Sequence, residues 1–159
     1  MTFKSKRTIA SITTGVALSI GYILYALSSH APAISDLRGW ALTMLIFIGI
    51  SIAVTIVIMI LFHIGFSIGV AVKEQDKSDA EVERIIASDT EEDEMDKLVE
   101  MKATNAGYIC VGIGFVAALC YLAFVNTSAV IALHIILASG CLGSFIEGIM
   151  SIFLYERGV

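Results

Sequence analysis

Ser88–Phe115 reads SDTEEDEMDKLVEMKATNAGYICVGIGF, passing from seven acids and two lysines into an apolar tract with no proline and no glycine before Gly107. A chain that moves from charge to apolar residues without a breaker does so on one continuous helix. Met95, Leu98, Val99 and Lys102 recur at helical spacing, and acids crowd the first turns, where the helix dipole favours them. Ser88 and Glu91 stand in capping-box relation. The spacing therefore predicts one helix over Glu91–Val125.

Working outward, the rest of the chain is more apolar still. Hydrophobic residues make up 57% of 159, charged residues 16%, and the mean hydropathy is +0.88. A water-soluble domain of this size cannot bury that much apolar surface, so lipid is the expected solvent. Thr8–Leu27, Trp40–Val72 and Ala106–Val125 carry no Asp, Glu, Lys or Arg, and Ala129–Tyr155 carries only Glu147. About 20 apolar residues cross a bilayer core as helix. The expected fold is all-α: a single polytopic domain with spans near 8–27, 40–66, 106–125 and 129–155, and an acidic stalk over 67–105.

Orientation follows from Lys and Arg. Lys4, Lys6, Arg7, Lys73, Lys77, Arg84, Lys97, Lys102 and Arg157 fall on one side, against Arg38 on the other. Both termini and the long connection are expected to be cytoplasmic, in the cell membrane. Trp40, Tyr22, Tyr25 and Tyr121 would mark the outer interface, and Tyr108 and Tyr155 the inner one. The basic start, apolar tract and Ala31-Pro32-Ala33 also resemble a cleavable signal, but the apolar tract is longer than signals use. A retained first helix is favoured.

Lys73–Asn105 holds 12 acids against 5 bases, a net charge of −7. It lacks glycine and proline and is too long for an idle connection. The second helix, 33 uncharged residues or roughly 50 Å against a core of about 30 Å, should protrude beside the third as a helical hairpin. Solvated surface explains such acids as readily as function does. The functional reading makes Glu91, Glu92, Asp93, Glu94 and Asp96 a docking face for a protein partner. Direct nucleic-acid binding is excluded, because phosphate is repelled by so acidic a segment.

Asp93–Phe115, DEMDKLVEMKATNAGYICVGIGF, resembles the D-E-x-D-x-x-[IV]-x-x-K-A signature of a family of small four-helix prokaryotic membrane proteins of unknown function. Asp93, Glu94, Asp96, Lys97, Lys102 and Ala103 carry the match, over about 25 residues, together with the general four-helix pattern. Met95 stands where that family commonly has Arg. The resemblance implies a partner class, small helix-turn-helix regulators, and no catalytic chemistry.

Candidate chemistry is sparse. Cys110, Cys120 and Cys141 lie in apolar tracts without C-x-x-C spacing and read as packing residues. His134 stands alone in the fourth span, with no spacing that suggests a metal. No Ser-His-Asp set, phosphate loop or zinc motif occurs, so neither an enzyme nor a cofactor is expected. Small residues form stripes in two places. Ser139, Gly140, Gly143 and Ser144 stand beside Glu147, while Gly65 and Gly69 form a GxxxG pair. Both read as helix-packing faces, with self-association as an alternative. Glu147 is separate, since an intramembrane acid is costly and usually functional. His63, ten residues before Lys73, matches the depth of Glu147, ten before Arg157, so the two either pair or snorkel separately to the inner interface. Two function classes follow: a membrane regulatory or scaffold protein that docks a partner on its acidic stalk, and a small oligomeric proton-coupled transporter or channel-like protein using Glu147.

Overall fold

The computed structural model describes residues 3–73, 94–125 and 128–157 and is all-helical there. In chain order, α1 is Phe3–Ala26, α2 Leu37–Lys73, α3 Glu94–Phe124 and α4 Ala129–Arg157. All four are long and apolar enough to cross a membrane. Four residues, 125–128, separate α3 from α4, whereas α2 runs uninterrupted for 37 residues, roughly 55 Å.

Local chemistry sets the helix starts. Asp36 caps α2, its carboxylate accepting the Gly39 N–H at 2.9 Å. Gly39 is required at this cap, since a methyl group there would run into the Asp36 carboxyl and Pro32. Ser128 caps α4, its hydroxyl accepting the Val130 N–H at 3.2 Å. Within the apolar helices, hydroxyls satisfy themselves locally. Thr13, Thr14, Ser19 and Ser67 each donate to the carbonyl four residues back, and Ser139 to Ile136 three back. That is how polar side chains survive where water is scarce.

Packing centres on α4. α3 lies along it, α1 packs on both α4 and α2, and α2 meets α4 where Trp40 reaches His134. Among the described residues, α3 forms no extended interface with α1 or α2. Among the described residues, α3 is thus held chiefly by α4. One end gathers Arg7, Asp96, Glu100 and Tyr155, and the other gathers Tyr22, Trp40 and His134. The expected stalk hairpin of α2 with α3 lies partly in residues 74–93, outside the described residues. What is described of α3's charged end packs on α4 instead.

The α3–α4 interface is built from small residues. α3 buries Asp96, Val99, Ala103, Gly107, Gly114 and Ala118, one stripe at steps of three, four and seven. Facing it, α4 buries Ser139 and Gly143. A methyl group on Gly143 would lie 2.9 Å from the Gly107 carbonyl oxygen, and one on Gly107 3.0 Å from that of Gly143. Backbones touch here, as small-residue crossings allow. Gly114 similarly receives the Ser139 side chain, and Gly148 receives Ile12 of α1. Val99, wholly buried, is the largest side chain to be fully enclosed. Most Leu and Ile side chains point outward from the bundle.

Candidate functional site

The charged end comes first. Asp96 heads the α3 stripe and is only 7% exposed, although the sequence groups it with an outward docking face. It accepts a hydrogen bond from the Tyr155 hydroxyl of α4, with Glu100 and Arg7 in electrostatic range of the same phenol. Val99 and Ala103 follow it onto α4, so three positions of the D-E-x-D signature are packing positions here. The helical phase explains the correction: Asp96, Val99 and Ala103 lie at i, i+3 and i+7, while Met95, Leu98 and Lys102 turn away and are exposed. Glu94 is exposed at the start of α3. Glu91, Glu92 and Asp93 lie outside the described residues.

Glu147 sits mid-helix on α4, half-buried against α3. Its Oε1 accepts a hydrogen bond from Thr104 Oγ1 at 2.7 Å. Gly107, one turn further along α3, leaves room for the carboxyl: a methyl group there would stand 3.4 Å from Glu147 Oε2. The pairing with His63 is not made. His63 Nδ1 lies 2.8 Å from the Met59 carbonyl oxygen of its own helix, and Phe62 stacks edge-on beside it. Matching depths do not set azimuth, and the described bond of Glu147 is to Thr104 of α3.

The small-residue stripes divide. Ser139 and Gly143 are buried in the α3–α4 contact, but Gly140 has no atom near its absent side chain and Ser144 is exposed. Gly65 and Gly69 are likewise open, with no atom of the described residues near a side chain placed there.

His134 is far from isolated, contrary to the sequence reading. Its Nδ1 lies 2.8 Å from the Val130 carbonyl oxygen, which makes Nδ1 the protonated nitrogen of the neutral ring. Nε2 is then the acceptor for the Tyr22 hydroxyl at 3.1 Å. Trp40 meets the same ring edge-to-face at 4.6 Å, and Phe47 meets Tyr22 at 5.1 Å. Trp40 is buried, donating from Nε1 to the Ala33 carbonyl at 3.2 Å, and is thus a core residue instead of an interfacial anchor. This cluster ties α1 and α2 to α4. Its signal was indirect: an imidazole in an apolar span must find partners, and Tyr22 and Trp40 were the aromatic donors at that end.

Among the described residues, no three His, Cys, Asp or Glu side chains gather as for a metal ion. Cys110, Cys120 and Cys141 are free thiols, Cys110 facing the Ser139 carbonyl oxygen at 3.9 Å. No family model, curated protein or solved structure matches the chain. What distinguishes the molecule is therefore its own geometry: a carboxyl held across the α3–α4 seam, and a charged α3 terminus fixed to α4.

Proposed function

We propose that the chain is a four-span protein of the cytoplasmic membrane, both termini inside, acting as a regulatory or scaffold protein that docks a protein partner at its charged end. One observation supports this most. α3 is unbroken from Glu94 into its apolar half, and Asp96, Val99 and Ala103 pin its charged turns to α4. The opposite flank mixes Glu94, Lys97 and Lys102 with Met95, Leu98 and Met101, which are 39%, 46% and 57% exposed. Such a flank suits an amphipathic partner, the acids Glu91, Glu92 and Asp93 next to it in sequence call for a basic face on that partner, and the D-E-x-D resemblance suggests a small helix-turn-helix regulator as one candidate. The hairpin of α3 and α4 is roughly 45 Å long against a core of about 30 Å, leaving about 15 Å for a projection into the cytoplasm.

Replacing Glu91, Glu92, Asp93 and Glu94 with Gln should abolish recovery of the partner from crosslinked native membranes while insertion is preserved. Recovery should also weaken with rising salt, since exposed charge attraction is screened over about 8–10 Å. Recovery insensitive to both changes would reduce the acids to solvated surface. Asp96 belongs outside this docking set, because its carboxylate is already engaged by Tyr155.

The Thr104–Glu147 contact favours a second reading, a small oligomeric proton-coupled transporter or channel-like protein. An acid in this setting needs either a structural partner or a use. This reading predicts flux in liposomes that is lost in Glu147→Gln.

A further inference from the structure

We infer that Glu147 is a monovalent-cation site, a carboxyl that exchanges a proton or sodium ion from within the bilayer, with Thr104 as its positioning residue and Gly107 as its niche. The inference deepens the second reading above and rests on it for physiological use, while the site itself stands on geometry.

Three observations carry it. First, Thr104 differs from five other Ser and Thr hydroxyls within the helices. Thr13, Thr14, Ser19, Ser67 and Ser139 all return their proton to their own helix. Thr104 instead sends its proton to Glu147 on another helix, at 2.7 Å. A carboxyl oxygen aimed at this point captures the hydroxyl and fixes which oxygen is satisfied. Second, no Lys, Arg or His among the described residues forms an ion pair with Glu147. Thr104 and Gly107 face it from α3, and beside it Gly148 seats Ile12 of α1. None of these titrates. The nearest titratable side chains along the three helices are Lys102 and Tyr108 on α3, Arg7 on α1, and Cys141 and Tyr155 on α4. A carboxylate with one neutral donor, in an apolar helix pair, lacks a resident countercharge. A small cation supplies it. Third, Thr104 takes Oε1 and leaves the second oxygen, which lies over Gly107 at ordinary contact distance from where a methyl group would stand. Glu147 is only half-buried, so Oε2 is reachable from the side of the seam.

Proton and sodium ion share this chemistry, and carbodiimide labelling separates them. Dicyclohexylcarbodiimide dissolves in lipid and reacts with a protonated carboxyl. The acid O–H adds across one C=N bond, giving an O-acylisourea that rearranges to a stable N-acylurea, with no leaving group and no redox change.

The full chain in liposomes should be modified at Glu147, as located by peptide mass mapping. Labelling should fall as pH rises and vanish in Glu147→Gln. Thr104→Val should shift the pH profile of labelling, and Thr104→Ser should restore it, a response that loss of packing alone would not produce. Sodium protection at fixed pH assigns the site to sodium, and indifference to sodium assigns it to the proton. Absence of Glu147 labelling at every pH, in a chain whose helix content and elution in detergent are normal, overturns the site. Labelling without any flux would retain the site and remove the transport reading.

Discussion

Asp96 shows how one residue can be misassigned by its neighbours. It sits in an acid run and reads as solvated, yet its carboxylate is buried and bonded to Tyr155. Removing that donor should take one hydrogen bond from a buried carboxylate. Tyr155→Phe is expected to cost about 1–2 kcal/mol of stability, read as earlier unfolding of the detergent-solubilised chain by denaturant or heat. Glu94→Gln, two residues away and exposed, should leave the transition where it is. An unshifted transition in Tyr155→Phe would show that the bond does not contribute. His134 and Glu147 carry the same lesson. Both were flagged as singular residues in apolar spans, but their partners, Tyr22, Trp40 and Thr104, lie on other helices at distant positions. Single-sequence reading gives depth along a helix and says nothing of azimuth.

At the level of the element, the four helices were legible because charge-free length is itself a strong signal, and all four occur at the expected places. The seams were half legible. Small-residue stripes mark where backbones can approach, without saying which approach is used. Gly143 and Ser139 face α3, while Gly65 and Gly69 meet no other helix among the described residues. That difference can be measured. Gly114→Ala and Gly143→Ala should each destabilise by about 1–3 kcal/mol, since the first meets Ser139 and the second the Gly107 carbonyl. Gly65→Ala and Gly69→Ala should be neutral or stabilising by up to about 1 kcal/mol, as helix propensity requires at an open site. Marked loss in the α2 pair would point to self-association through that face.

For the whole molecule, the alternation of helix direction puts the starts of α1 and α3 and the end of α4 together, as the Arg7, Asp96 and Tyr155 cluster requires. Which side of the membrane this end faces follows from the Lys and Arg asymmetry. Single cysteines at Thr90 and Ser35, in a chain otherwise free of cysteine, should report it with an impermeant thiol reagent on intact cells. Ser35 should label, and Thr90 only after permeabilisation. The reverse pattern would invert the topology and move the docking face outside. The arrangement of helices, by contrast, was not legible. A hairpin of α2 with α3, expected from adjacency and length, lies partly in residues 74–93, outside the described residues; among those described the longest shared seam is between α3 and α4, where glycines permit it.

Among the described residues α3 shares an extended interface with α4 and with no other helix, and that bears on how the molecule is made. Of the four helices, α4 leaves the ribosome last, yet it is the one on which the others converge. Until it arrives, α3 lacks the partner of its glycine seam and Asp96 lacks the Tyr155 hydroxyl. Closure of the α3–α4 seam therefore waits on translation of the fourth helix.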